Sequence, residues 1–396
     1  MSAVAANGRM RPWHIPMTGR DPNEAHRTAT PLELLFDLCF VVAVAEAAGA
    51  LHHDLAEGEI AHGVVSYLII FFGVWWPWLN FTWFASAYDT DDVQYRLLTF
   101  VQIAGVLVVA AGVPAAFQDM DYTVSVGGYV IMRIALVAQW LRAAREDPVG
   151  RPVAIRFAVA IALIQLGWVL RVIVGWNEFG FVAFGVLLVL ELAVPYWAER
   201  SGRETPWNPG HIIERYGLFT IIVLGECVLA TTTAVQVAFD AGGLLGALLT
   251  VAAGGLLLVF AMWWAYFKHE PDVGHHRSLR AMIGWGYGHY FVFAAVAAVG
   301  AGLQVAAETT HDATHLGPVV AASTVSVPVV VFLASVGIIH VRTRTVAIIA
   351  PIAVTAVLVL AAGLAATWIG VPPAILAMGI MVCGLVAVNV VTLTRA

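Results

Sequence analysis

Leu32-Glu-Leu-Leu-Phe-Asp-Leu-Cys-Phe-Val-Val-Ala-Val-Ala-Glu-Ala-Ala-Gly-Ala50 decides the class of this chain. A helix crossing a hydrocarbon core ~30 Å thick needs ~20 mostly apolar residues. This stretch has that length and composition, interrupted only by the carboxylates Glu33, Asp37 and Glu46. Eleven further stretches read the same way: His62 to Trp83, Leu97 to Ala116, Gly127 to Leu141, Val153 to Val174, Phe179 to Ala198, Ile212 to Thr232, Gly242 to Tyr266, Ala281 to Ala306, Val319 to Val341, Ile348 to Trp368 and Pro373 to Val391. Composition agrees. Of 396 residues 60% are hydrophobic and 12% charged, with a mean hydropathy of +0.84. A water-soluble domain keeps roughly a quarter of its residues charged. The fold class is therefore all-α, a polytopic transmembrane bundle of about twelve helices.

Charge placement supplies the orientation, because Lys and Arg accumulate on the cytoplasmic side. With the N-terminal tail inside, eighteen of the twenty basic residues fall in inner segments or at the inner ends of the spans, and only Arg133 and Arg171 lie deeper within helices. The outer loops hold acids alone, among them Asp54, Glu57, Asp119, Glu178, Asp240 and Glu308. Both termini are expected in the cytoplasm. The first 31 residues lack the apolar core and cleavage site of a signal peptide and read as a cytoplasmic tail.

An internal repeat divides the chain at 32–198 and 199–396. The segment Glu33 to Glu46 resembles Glu214-Arg-Tyr-Gly-Leu-Phe-Thr-Ile-Ile-Val-Leu-Gly-Glu226, and the next helix of each half ends in a tryptophan pair, Trp75-Trp76 or Trp263-Trp264. Glu46 and Glu226 are 180 apart, Trp75 and Trp263 188, and Arg96 and Arg280 184. Six helices per half make the repeat parallel, about an axis along the membrane normal.

Ionisable groups inside a bilayer are costly and are functional candidates by default. Here they are Glu33, Asp37, Glu46, Arg133, Glu191, Glu214, Arg215, Glu226 and His289. Glu33 and Asp37 share a helix face, and Glu46 lies roughly 14 Å beyond Asp37 at the helical rise. Glu46 and Glu226 could face each other across the pseudo-axis as a proton or cation site; the structural alternative pairs each acid with Arg133, Arg171 or a backbone amide. For Glu33 and Glu214, close to the interface, snorkelling to the headgroups is the expectation. His289, in Trp285-Gly-Tyr-Gly-His-Tyr290, is either a proton shuttle or a hydrogen-bonded packing residue, with Gly284 and Gly288 expected to admit a neighbouring helix. The run Trp75-Trp-Pro-Trp-Leu-Asn-Phe-Thr-Trp83 reads as an interfacial aromatic belt. His52-His53-Asp54 and His269-Glu-Pro-Asp-Val-Gly-His-His276 contain ligand-type residues without a ligand spacing. Cys39, Cys227 and Cys383 give neither a disulfide framework nor a metal pair. No phosphate-binding or dinucleotide fingerprint occurs. No cofactor, metal or nucleic-acid partner is expected.

Thr30-Pro-Leu-Glu-Leu-Leu-Phe-Asp-Leu-Cys-Phe-Val41, the tryptophan pair before Asp89-Thr-Asp-Asp92, and the segment Glu214 to Glu226 together resemble the bacterial low temperature requirement protein A family. The resemblance runs from about Arg27 to the C-terminus. It implies a multi-pass protein of the bacterial inner membrane, linked to growth in the cold, and places Glu33, Asp37, Glu214, Arg215 and Glu226 at signature positions; Cys39 stands where an aliphatic residue is more usual. It implies no substrate. A secondary transporter or ion-coupled permease, acting on a small solute or ion in the lipid bilayer, is the leading expectation. A membrane-embedded enzyme adapting lipids to cold, and an assembly protein without turnover, are the alternatives.

Overall fold

Apolar runs long enough to span a bilayer must satisfy their own backbone hydrogen bonds, which restricts them to helices or closed barrels. A computed structural model describes residues 13–25, 27–175, 178–200, 204–240, 245–268, 278–311, 314–340 and 346–393. Among these are thirteen helices and no strand: α1 (Pro31–Ala56), α2 (Ile60–Tyr88), α3 (Val93–Ala111), α4 (Val113–Gln118), α5 (Thr123–Glu146), α6 (Arg151–Val174), α7 (Glu178–Glu199), α8 (Pro209–Asp240), α9 (Leu245–Phe267), α10 (Leu279–Glu308), α11 (Pro318–His340), α12 (Val346–Ile369) and α13 (Val371–Leu393). Twelve are long and apolar enough to cross a membrane; α4 is the exception.

Two boundaries differ from the sequence expectation. The third span ends at Ala111 rather than Ala116, because Gly112 closes α3 and Pro114 stands near the start of the short α4, where its missing N–H costs nothing. The fourth span, expected over Gly127 to Leu141, runs from Thr123 to Glu146, since its flanks are polar enough to hide the helix from a hydropathy reading.

Helices α1, α2, α8 and α10 pack together at the centre of the bundle. The alanine- and glycine-rich second half of α10, Ala294 to Ala307, is almost wholly buried, and small residues of this kind let helix backbones approach closely where lipid supplies no hydrophobic drive. The periphery carries the opposite signature. Leu163, Leu166, Leu170 and Ile173 on α6, Phe179, Val182 and Val186 on α7, and Val354, Val357 and Leu364 on α12 are exposed. Apolar faces of this extent suit acyl chains and would aggregate in water. The tryptophan run on α2 is part of the core, not a belt: Trp75, Trp76 and Trp78 are at most 2% exposed, whereas Trp263 and Trp264 are 45% and 49% exposed. At 29 residues α2 is longer than the expected span, so the run sits deeper than its distance from the charged loop suggested. In each half the third span packs on the fourth and the fourth on the fifth (α3–α5–α6 and α10–α11–α12), and the first touches the second and third (α1 with α2 and α3, α8 with α9 and α10).

A close backbone-to-backbone approach joins α3 to α5. A Cβ at Gly128 would lie 2.5 Å from the Gly105 carbonyl oxygen and 2.6 Å from the Val109 nitrogen. These are backbone atoms and cannot swing aside. Gly128→Val is therefore expected to force the helices apart and to cost ~1–3 kcal/mol or more; a fluorescence-detected thermal unfolding curve unchanged from the parent would contradict this packing. Gly284 does not serve the role expected of it, having no atom within 4 Å of a would-be Cβ, whereas Gly288 accommodates Ile339 of α11.

Residues 13–25 and 27–30 do not trail away as a free tail. The Ile15 and Met17 amides donate to Asp92 (2.7 Å) and Glu146 (2.6 Å). Arg142 binds the Asp92 carboxylate through Nη1 at 3.0 Å and Nη2 at 2.5 Å. Arg20 donates to the Asp89 carbonyl. Arg27 donates to the Ser86 carbonyl and, at 2.9 Å, to that of Ala85. Both guanidinium groups thus sit on the C-terminal carbonyls of α2, where the helix dipole favours cations.

Candidate functional site

The site begins with two helix N-termini. Thr30 caps α1 by accepting from the Glu33 amide, Pro31 follows at the first helical position, and Glu33 reaches back to the Thr30 amide at 2.8 Å. This is a capping box. Asn208 performs the same service for α8, accepting from the His211 amide at 3.0 Å, and Pro209 follows it. Residues three and seven beyond each cap share one helix face. On α1 these are Glu33 and Asp37; on α8 they are His211 and Arg215. The two faces meet as a ladder, both rungs 178 residues apart. His211 Nε2 lies 3.2 Å from Glu33 Oε1, and Arg215 grips Asp37 with Nε at 2.9 Å and Nη2 at 2.5 Å. Arg215 Nη1 also lies 3.1 Å from Glu33. Trp78 of α2 donates to Asp37 at 2.7 Å.

Two further charges complete the cluster. Arg27 stands 3.9 Å from Glu33 and 4.0 Å from Asp89 at the end of α2. All of these side chains are buried; Glu33, Asp37, His211 and Arg215 are 0% exposed. Glu33 therefore does not snorkel. The oppositely charged partners its helix meets on α8, invisible in the local sequence, hold it inside. With His211 neutral, three carboxylates face two guanidinium groups, so the cluster lacks one positive charge. Asp89 is the odd member: its Oδ2 has no hydrogen-bond partner, and burial, with the nearby Glu33 charge adding and Arg27 opposing, pushes its carboxyl up to about 7.

Arg27 and His211 of the cluster line a cavity of about 1050 Å³ between the N-terminal segment, the turn at 147–150 and the segment 204–211, together with Trp207, Asn208 and Glu214. Glu214 is half-buried here and accepts weakly from the Ala29 amide at 3.4 Å.

A second polar centre lies midway along α5. Glu191 of α7 accepts from Trp76 (2.7 Å), Tyr129 (2.8 Å), Trp168 (3.2 Å) and Arg133 (3.2 Å). Side chains of four helices thus meet at one carboxylate. His289 is likewise fully bonded. Its Nδ1 lies 2.8 Å from the Trp285 carbonyl, which only accepts, so that nitrogen carries the hydrogen and Nε2 accepts from Tyr266 at 2.9 Å.

The structure does not join Glu46 to Glu226. Glu46 is exposed and Glu226 half-buried, and neither makes a hydrogen bond or ion pair among the described residues. His52 pairs with Glu308 and Asp54 with His62, at 2.8 and 2.9 Å, while His269–His276 lies outside the described residues. Cys39, Cys227 and Cys383 are free. Sequence reasoning missed His211, Arg27 and Asp89. The Asn208-Pro209 cap followed by His211 and Arg215 at a spacing of four was the available signal, the counterpart of Thr30-Pro31 with Glu33 and Asp37.

Twelve spanning helices around buried ion pairs define a polytopic helical membrane protein. The chain belongs to the bacterial low temperature requirement A protein (LtrA) family, which it matches over residues 28–389. It is also similar to uncharacterized protein RA0937 of Rhizobium meliloti (strain 1021), at 29% identity over 270 residues, covering 66% of this chain and 63% of that protein. The match spans less than two thirds of the relative's length.

Proposed function

We propose that this chain is an ion-coupled secondary carrier of the bacterial inner membrane, for a small solute or ion, with the α1–α8 charge cluster as its coupling element. One observation carries the reading: the charge-imbalanced cluster, buried inside the bundle, contributes Arg27 and His211 to the wall of a cavity of about 1050 Å³. Charges inside a bundle are expensive and mark substrate or ion pathways. Purely structural ion pairs need no such cavity.

The face bearing the cavity also bears Arg20, Arg27, Arg96, Arg145, Arg151 and Arg200, which by the distribution of basic residues supports a cytoplasmic position for it. The matching packing order of α1–α3 and α5–α7 with α8–α13 supports two repeated halves, and carriers commonly place their sites where such halves meet. The cap-aligned ladder, with both rungs at a separation of 178, lies on that boundary.

The test uses the purified full-length chain in proteoliposomes on a solid-supported membrane. Amino acids, carboxylates, amines, sugars and inorganic ions are applied in turn. At least one is expected to give a transient current that protein-free membranes lack and that Asp37→Asn abolishes. Silence across the panel, or full current from a folded Asp37→Asn protein, overturns the proposal.

A further inference from the structure

The tautomer of His211 follows from its surroundings. Glu33 is held by Arg215 Nη1 at 3.1 Å and accepts the Thr30 amide at 2.8 Å, so it is an ionised acceptor, and the imidazole nitrogen facing it must carry the hydrogen. That nitrogen is Nε2, 3.2 Å from Oε1. A neutral imidazole with hydrogen on Nε2 bears a lone pair on Nδ1. Nδ1 is buried without a hydrogen-bond partner, and His211 is one of the residues lining the cavity. One side of the ring therefore holds the cluster's acid, and the other is a free base in a residue of the cavity wall.

We infer that the coupling ion is the proton and that His211 carries it between the cavity and Glu33. This rests on the carrier reading above and names its ion. The step balances simply. A hydronium in the cavity gives a proton to Nδ1 and is left as water. The imidazolium gives its Nε2 proton to Glu33, which becomes a neutral carboxylic acid, and the ring is left neutral with hydrogen on Nδ1. In the opposite direction Glu33 returns its proton to Nε2 and the imidazolium releases the Nδ1 proton to a water of the cavity, which restores the first tautomer and an ionised Glu33.

The groups that feel this transfer come from every packed element: Arg27 of the N-terminal segment, Asp37 of α1, Trp78 and Asp89 on and after α2, Tyr95 of α3, and Glu214 and Arg215 of α8. Before transfer, Glu33 ties Arg27 and Arg215 to α1. Afterwards those attractions are lost and only the Asp37–Arg215 rung still binds α1 to α8 electrostatically. The proton also removes the cluster's excess negative charge. A ligand moves a two-state protein only by interacting differently with the two states, and here the difference lies in those two ion pairs.

The experiment uses proteoliposomes loaded with a pH-sensitive dye, with the membrane potential clamped by potassium and valinomycin. Acid is pulsed outside, with and without any solute that gave current in the panel above. The parent is expected to acidify the lumen faster than empty vesicles do. His211→Gln keeps a donor toward Glu33 but cannot relay a proton. Its flux is expected to fall about a hundredfold, the lower end of the range for a lost proton-transfer group, with external imidazole restoring part of it. An unchanged melting temperature for His211→Gln excludes misfolding; if that variant melts early, His211→Asn with the same imidazole rescue replaces it. Solute currents without proton flux in the parent, or proton flux in a folded His211 variant equal to the parent's, overturn the inference while leaving the carrier reading standing. Absence of both solute and proton flux overturns the carrier reading itself.

Discussion

Asp37→Ala is expected to lower the stability of the folded bundle by about 3–5 kcal/mol, the usual cost of stripping one partner from a buried ion pair. Arg215 is wholly enclosed and donates its two direct hydrogen bonds to Asp37. Without that carboxylate the guanidinium keeps only its ion pair with Glu33, which His211 and the Thr30 amide also share. Neither water nor lipid headgroups reach it. The informative comparison is the double replacement of Asp37 by Leu and Arg215 by Met. Removing both charges together leaves no unpaired guanidinium, and apolar side chains of similar volume often leave stability unchanged or raise it. The double variant is therefore expected to melt within a few degrees of the parent while losing transport entirely. Thermal unfolding in detergent and the current assay, run on the same preparations, separate the two roles. A double variant that melts normally and still transports would leave the cluster a packing device. One that melts as early as Asp37→Ala would mean that the ion pair is needed for the fold.

Much of the architecture was legible because the bilayer makes a one-dimensional demand. A run such as Val153 to Val174 has few alternatives in lipid, and α6 occupies it almost residue for residue. Where the demand is weaker, the reading slipped. Helix α5 carries Arg133, Gln139 and Arg142, all buried, and each lowers the hydropathy that would have marked its true length. Depth along a helix was harder still. Trp75, Trp76 and Trp78 have the composition of an interfacial belt, and only the packing of α8 and α10 against α2 reveals them as core. The charged residues of α1 were visible as intramembrane groups, but their meaning depends on which helix lies beside them. Residue 211 is 178 positions from Glu33, and nothing local to either segment states that the two caps align. The expectation of snorkelling for Glu33 treated α1 as if it stood alone in lipid. The repeat expected from the sequence drew attention to Glu214, which lines the cavity, while the partners of Glu33 and Asp37 lie at His211 and Arg215.

Glu191→Ala is expected to have the second large effect, and its mechanism differs from that at Asp37. The Glu191 carboxylate is the common acceptor for Trp76, Tyr129, Arg133 and Trp168. Removing it orphans donors on α2, α5 and α6 at once. Arg133 already has Nε and Nη1 buried without partners and would keep only its bond to the Tyr129 hydroxyl. Each stranded neutral donor costs about 1–3 kcal/mol and a charged one more, so the variant should fail to reach the membrane or should unfold on extraction. Glu191→Gln is the discriminating replacement. Its amide oxygen can still accept, but its NH₂ group meets donors, and the charge opposite Arg133 is gone. Intermediate stability is expected, because the network keeps its shape and loses its charge-assisted bonds, which are roughly twice as strong as neutral ones. Glu191→Gln/Arg133→Met, which removes the unmatched cation too, is expected to recover much of the loss, since residues within one network couple non-additively. The check is a thermal-unfolding double-mutant cycle on these variants and the Arg133→Met single. Strict additivity would mean that Glu191 and Arg133 do not stabilise one another, and the picture of a single acid clamping four helices at mid-membrane would fail.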